Sequence, residues 1–369
     1  MKKLLAFLLA LALLLSGCSV AINVGDDGEV IIEVGSAVET APTAPTTSSA
    51  KPAGDLTVHY IDVGQADCIL LECDGKFMLI DGGNRDDGQL VISYLQSCGV
   101  TELEAVVCTH AHEDHVGGLP AVLAVYPTAA VYSPTKTYSS NVFDDFLYYV
   151  DQQRLEVIIP APGDQFRLGE AQVTVLGPVK TYAEPNNTSI VLLVTFGNTR
   201  FLFTGDMEKE AENDMLDYWE DRMDWKVDGL KDGHHGSSSS SGYRFLYETD
   251  PTYDIISCGK DNSYGHPHKE VISRLDDAGI PMLRTDELGT ILVVSDGQEP
   301  VITWENQKAS PSRMERATDT LWQFVGNKNS ATFHAGDCDS LPKESNRIYY
   351  DTYEEAIDAG RTPCRGCLG

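Results

Sequence analysis

The chain has 369 residues, with 56 Asp and Glu against 27 Lys and Arg, for a net charge of −29. That balance favours solubility, repels polyanions at long range and argues against a basic groove that grips nucleic acid non-specifically. Beyond the N-terminal segments about 315 residues remain, enough for one large domain and one small one.

In chain order, Met1-Lys2-Lys3 is a short basic start and Leu4 to Leu15 an almost unbroken apolar run, closed by Ser16-Gly17-Cys18. This pattern reads as a secretory signal, and its apolar run is short for spanning a bilayer. The Cys directly after Leu-Ser-Gly resembles a bacterial lipobox. The resemblance implies cleavage before Cys18, lipidation of Cys18 and a body held outside the cytoplasm at a membrane. Residues 19–54 read as a flexible tether, since Ala41 to Gly54 is mostly Pro, Thr, Ser and Ala. Within it, Glu29 to Val34 carries a short strand signal.

From residue 55 to 305 strand and helix signals alternate. Strands are expected at 56–63, 68–73, 76–80, 105–108, 172–176, 189–196, 200–204, 253–256, 281–284, 290–294 and 301–304. Helices are expected at 89–97, 119–125, 142–152, 208–222, 243–248 and 269–278. Asp74-Gly75 marks a hairpin turn. Hairpins mixed with strand–helix units predict an α/β (α+β) fold of two mixed sheets covered by helices. Cys68, Cys73, Cys98, Cys108 and Cys258 fall mostly in apolar segments and are expected to pack as small buried residues.

The densest chemistry is Thr109-His-Ala-His-Glu-Asp-His-Val-Gly-Gly118. His110, His112, Asp114 and His115 sit directly after an apolar strand, and the chain has only nine His. Imidazoles and carboxylates at this density are ligands for zinc-like cations, two of which can share a water. Further on, Phe201 to Asp206 is an apolar strand ending in Gly-Asp. Leu230 to Ser237 holds His234 and His235, and Asn262 to His268 holds His266 and His268. Each lies where open α/β sheets gather ligands, at strand or helix ends.

These motifs resemble the metallo-β-lactamase superfamily. More narrowly, Tyr60-Ile-Asp-Val-Gly-Gln-Ala-Asp67, Asn186-Asn-Thr-Ser189, Leu230-Lys-x-x-His-His-Gly-Ser237 and Asn262-x-Tyr-Gly-His-Pro267 resemble the metallo-β-lactamase-like domain of ComEC-type DNA-uptake proteins. The likeness covers roughly residues 55–305. It implies a four-layer αβ/βα sandwich and a metal-dependent hydrolase acting on phosphodiesters. It also implies two divalent ions, zinc or manganese. His110 and His112 would hold the first, Asp114 and His115 the second, and Asp206 would bridge, with His235 the best candidate for the last ligand and His266 next. Asp81 would support the site. The family pattern places another His on the loop before the bridging Asp; Pro185-Asn-Asn-Thr stands there instead, leaving Asn187 or a water as substitute. Asp114 would orient the attacking hydroxide, and His266 would stabilise charge. His234 or His266 would protonate the leaving oxygen. Lys231 reads as a solvated lysine near the site.

Residues 306–326 read as a linker with a short helix at 319–325. In 327–369, His334-x3-Cys338 and Cys364-x2-Cys367 form two ligand pairs of the kind that hold one structural zinc. The segment resembles the zinc module of the Ada DNA-repair protein, but His334 stands in place of that module's reactive Cys, so no alkyl transfer is expected. Five Lys and Arg against seven Asp and Glu make it a poor grip for phosphate. The leading expectation is a membrane-tethered extracellular nuclease or phosphodiesterase that takes a phosphodiester such as DNA. Its rivals are a hydrolase of cell-wall phosphorylcholine or teichoic-acid esters and a non-catalytic DNA-binding lipoprotein. Oligomeric state is not legible.

Overall fold

The structure, a computed structural model, describes residues 52–311 and 324–368 except 336, 337, 339, 351 and 352, plus the backbone of two earlier strands. Those strands, β1 (Ser19–Val24) and β2 (Val30–Gly35), pair antiparallel within a unit of their own. The strand signal at Glu29 to Val34 corresponds to β2, and β1 is an addition to the expected set. Val20, Ile22 and Val24 alternate as Val30, Ile32 and Val34 do, which favours pairing. The signal segment 1–18, with Cys18, lies outside the described residues, as does most of the Pro- and Thr-rich stretch.

Two mixed sheets build the body. The first contains β3 (Leu56–Tyr60), β4 (Ile69–Cys73), β5 (Lys76–Ile80), β6 (Ala105–Val107), β7 (Val131–Tyr132) and β8 (Val157–Ile158). The second contains β9 (Gln165–Leu168), β10 (Ala171–Gly177), β11 (Val191–Phe196), β12 (Thr199–Phe203), β13 (Gly229–Lys231), β14 (Tyr253–Ile256) and β15 (Met282–Arg284). The chain then returns to the first sheet with β16 (Ile291–Ser295) and β17 (Pro300–Trp304). The strand orders are β17-β16-β3-β4-β5-β6-β7-β8 and β15-β14-β13-β12-β11-β10-β9. β5 to β8 run parallel, as do β12 to β15.

Their inner faces meet in one core, where Val58, Leu71, Met78 and Val107 face Val173, Leu192, Val194 and Phe203. The outer face of the first sheet packs on α1 (Gly88–Ser97), α3 (Leu119–Val125) and α4 (Asn141–Gln152) through Val91, Leu95, Val122 and Phe146. Between α1 and α3 lies the single turn α2 (Glu113–Val116), whose preceding residue is His112. The outer face of the second sheet packs on α5 (Lys209–Trp219), α6 (Tyr243–Thr249) and α7 (Lys269–Asp277) through Met215, Trp219, Leu246 and Val271. β11 is buried on both faces, so its run Val-Leu-Leu-Val lacks the alternation of a half-exposed strand. These layers are the αβ/βα sandwich the sequence predicts. The short strands β7, β8, β9 and β13 are additions to the expected set, and α8 (Thr285–Leu288) adds one more turn before β16.

The C-terminal module holds β18 (Phe324–Asn327), β19 (Thr332–Ala335), β20 (Arg347–Tyr350), α9 (Tyr353–Asp358) and β21 (Thr362–Pro363), in strand order β20-β18-β19-β21. Phe324 and Val325 belong to β18 rather than to the end of the helix expected over 319–325, whose residues 319–323 lie outside the described residues. β18 is central, paired on both sides, and that pairing overrides local propensity. The module docks on α6: Tyr243 joins the cluster of Phe324, Phe333 and Tyr353, and the Tyr247 and Tyr353 rings lie 4.6 Å apart. Among the described residues no helix is long and apolar enough to cross a membrane.

The loops after β5 and α2 interlock. Gly82 N–H donates to the His115 carbonyl at 2.7 Å, and a Cβ on Gly118 would run into the Gly82 carbonyl. Gly118→Ala is therefore expected to lower stability by about 1–3 kcal/mol, the usual cost of overpacking, as a shifted urea midpoint with unchanged slope.

Candidate metal centre

The candidate residues converge where parallel strands of the two sheets end. β5 delivers Asp81, β6 leads to His110 and α2, β12 leads to Asp206, and β13 leads to His234 and His235. Asp81, itself in a left-handed conformation (φ 57°), accepts the Thr109 N–H at 2.7 Å and the Thr109 hydroxyl at 2.6 Å. It also accepts His115 Nδ1–H at 2.7 Å. A carboxylate can only accept, so His115 keeps its proton on Nδ1 and turns Nε2 to Asp206 Oδ1, 3.2 Å away.

His235 is set the same way. Its Nδ1 lies 3.0 Å from the Ser257 carbonyl and 3.3 Å from Asp67 Oδ1. Its Nε2 faces Asp114 Oδ2 at 3.3 Å and Asp206 Oδ1 at 3.5 Å. His110 Nε2 lies 3.0 Å from His112 Nδ1 and 3.7 Å from Asp206 Oδ2. His115 Nε2, His235 Nε2 and Asp206 Oδ1 are buried without a hydrogen-bond partner. With Asp114 they offer four ligand atoms, all within 4.8 Å of one another. Two ligand atoms on one tetrahedral ion lie roughly 3.4 Å apart, so this donor set fits a divalent cation.

The electrostatics point the same way. Burial opposes charge on His115 and His235, but the carboxylates outweigh it. Asp206, Asp81 and Asp114 raise His115 well above the usual imidazole range, and Asp206 and Asp67 raise His235 to about 10. Burial likewise opposes the Asp206 carboxylate, and His115, His235 and His110 still hold its pKa well below the carboxylate range. A cluster with this field holds positive charge strongly, whether proton or metal.

Several partners escape a reading of the sequence alone. Lys231, expected at the solvated edge, is fully buried and pairs with Asp67 Oδ2 at 3.0 Å, so it is unavailable to phosphate. Asp67 thereby links Lys231 to His235. It lies at the end of the quoted Tyr60–Asp67 motif, which was the signal available. Glu208, two residues past Asp206, has no comparable signal. Asn187 turns its Oδ1 to the Glu208 N–H at 3.0 Å rather than towards the histidines. His266 lines the cleft but stands outside the Asp206 cluster, its Nδ1 3.2 Å from the Gln65 amide nitrogen. That cleft, of about 490 Å3, is lined by Gln65, Asn84, Asn186, Tyr264 and the site's own His, Asp and Glu residues, and by no Lys or Arg among the described residues.

In the C-terminal module His334, Cys338, Cys364 and Cys367 also come within 4.8 Å of one another, with His334 Nδ1 3.3 Å from Cys338 Sγ. All described cysteines are free thiols; Cys68, Cys73, Cys108 and Cys258 are buried as expected, whereas Cys98 is only part-buried.

Sequence comparison agrees with the fold. The family described as the metallo-beta-lactamase superfamily matches residues 61–260, and the chain belongs to it. Its curated relatives include proteins with competence and recombination names, alongside hydroxyacylglutathione hydrolases. ComE operon protein 3 of Bacillus subtilis is 30% identical over 253 residues, 63% of this chain and 32% of that protein. Competence protein ComA of Neisseria gonorrhoeae is 28% identical over 66% of this chain and 33% of its own length. Recombination protein 2 of Haemophilus influenzae is 31% identical over 59% and 26%. The chain thus spans about a third of these ComEC-type relatives. Among solved structures, the metallo-beta-lactamase fold protein YhfI from Bacillus subtilis superposes with a TM-score of 0.45 at 14% identity, covering 66% of this chain and 100% of that one.

Lys231→Met would strand the buried Asp67 carboxylate. It is expected to cost about 3–5 kcal/mol, as breaking a buried ion pair does, measured by urea unfolding at neutral pH.

Proposed function

We propose that this protein is a metal-dependent phosphodiesterase, most simply a nuclease. In this reading it is held by a lipid on Cys18 at the outer face of a bacterial membrane. The observation that carries the reading is the convergence of His115 Nε2, His235 Nε2 and Asp206 Oδ1, buried without a hydrogen bond, at a cleft with no fixed cation among the described residues. The competence and recombination names of the relatives direct the choice of phosphodiester towards DNA.

His110 Nε2 and His112 Nδ1 would hold one divalent ion, Asp114, His115 Nε2 and His235 Nε2 a second, with Asp206 between them. Zinc or manganese in these places would supply Lewis acidity towards phosphoryl oxygens and a water acidic enough to ionise near neutral pH. The protein's own groups do the rest. Asp114, part-exposed at the mouth, accepts a hydrogen bond from the attacking water and so orients it. Gln65 Oε1 accepts the Gly259 N–H at 3.0 Å, which turns the amide NH2 towards His266 Nδ1. The His266 proton therefore sits on Nε2. Burial, then His234, His235 and His268, push its pKa down to about 4. At neutral pH His266 is an uncharged N–H donor to a phosphoryl oxygen, rather than the acid that protonates the leaving group. A cleft without Lys or Arg suits a singly charged diester better than a polyanionic phosphate.

In the C-terminal module His334 Nδ1 and the thiolates of Cys338, Cys364 and Cys367 would hold one structural zinc.

Asp206→Ala should lose the hydrolase-site metal by elemental analysis and turnover of bis-p-nitrophenyl phosphate with Mn2+ or Zn2+. Single-stranded DNA and p-nitrophenyl phosphorylcholine serve as parallel substrates. If wild-type protein binds the metal and leaves all three intact, the enzyme reading fails. His266→Ala should lower kcat by roughly 10²–10³-fold, the effect of removing one positioned donor.

Cys364→Ser should cost one equivalent of zinc while leaving Mn2+ uptake at the hydrolase site intact; unchanged zinc content would count against the C-terminal site.

A further inference from the structure

We infer that His234 is the imidazole that completes the first cation site, aimed there by Glu208; this deepens the two-ion reading above and rests on it. The two oxygens of Asp206 face different imidazoles. Oδ1 lies 3.2 Å from His115 Nε2 and 3.5 Å from His235 Nε2. Oδ2 lies 3.7 Å from His110 Nε2 and 3.7 Å from His234 Nε2. Each separation suits one pair of donors on an ion, although the ligand atoms that all lie within 4.8 Å of one another are those of Asp114, His115, Asp206 and His235, without His110, His112 or His234. His234 therefore stands to the first ion much as His235 stands to the second.

The other nitrogen of His234 is held as it is in His115 and His235. Its Nδ1 lies 3.3 Å from Glu208 Oε1, the carboxylate–imidazole pairing that fixes a tautomer and turns Nε2 to Asp206; the Asn186 amide nitrogen, 3.5 Å from Nε2, is the group an ion there would displace. Glu208 is itself bracketed. Its N–H donates to Asn187 Oδ1, and its Oε1 accepts Asn186 Nδ2 at 3.2 Å and the Ser239 hydroxyl at 3.0 Å. The two asparagines on the loop where an imidazole is otherwise expected therefore build the support for a replacement arriving from β13. The backbone makes the approach possible. His234 (φ 50°, ψ 45°) and His235 (φ 55°, ψ 27°) are left-handed in succession, and this bend brings both adjacent imidazoles to Asp206, one at each oxygen. The assignment takes His234 away from leaving-group protonation.

The test counts Mn2+ on the full chain by electron paramagnetic resonance titration, because the thiolate-rich C-terminal site disfavours Mn2+. Wild type should bind two ions. His234→Ala should keep one at wild-type affinity and weaken the other by more than about 100-fold, beyond the usual cost of losing an outer-shell partner. Glu208→Gln should weaken the same ion by about 10–100-fold and spare its neighbour. Two ions at unchanged affinity in His234→Ala overturn the inference and return His234 to a proton-transfer role. If His234→Ala binds neither ion, Glu208→Gln decides: selective loss of one supports the inference, and loss of both or neither overturns it. A wild type that binds fewer than two ions refutes the two-ion reading itself, and the inference falls with it.

Discussion

A single buried carboxylate organises this molecule. Asp206 follows β12 with both oxygens among imidazoles drawn from two separate segments, one after β6 and one after β13, and it is only 2% exposed. An isolated carboxylate at that depth would be costly. Here the surrounding positive charge more than compensates, and the result is a pocket of field that seeks a cation. Both sheets end their parallel strands at this point, so the four-layer sandwich acts as a clamp around Asp206.

Much of this was legible from the chain. The candidate ligands His110, His112, Asp114 and His115 are close in sequence, and a strand directly precedes them. The six helices expected between residues 89 and 278, and most of the expected strands, match within a few residues. What escaped depends on contacts between distant segments. β13 is three residues long and exists because β12 and β14 flank it. β18 reads as the end of a helix until its two neighbours claim it. Lys231 looks like a solvated lysine, because nothing local announces Asp67 as its partner. Glu208 has no motif at all, and only the fold brings it to His234.

The supporting shell is as built as the ligands. Three of the imidazoles facing Asp206 have Nδ1 against an acidic partner: Asp81 for His115, Asp67 for His235 and Glu208 for His234. Asp67 extends further, to the buried Lys231. Such chains fix ring orientation before any ion arrives, which lowers the reorganisation needed on binding. They also tie site geometry to core packing, so a substitution in the second sheet can act on chemistry without touching a ligand.

The cleft's lack of Lys and Arg has a thermodynamic corollary. A nuclease that grips phosphates with fixed cations weakens steeply as salt rises, through counterion release. This cleft has no such cations to offer. In the proposed reading, any attraction for an anionic substrate would come from divalent ions and neutral N–H donors, against a strongly acidic chain. Occupancy of the ions and of the substrate is then positively linked, each raising the affinity for the other by the same factor. Divalent supply, more than ionic strength, would govern when the protein engages its substrate.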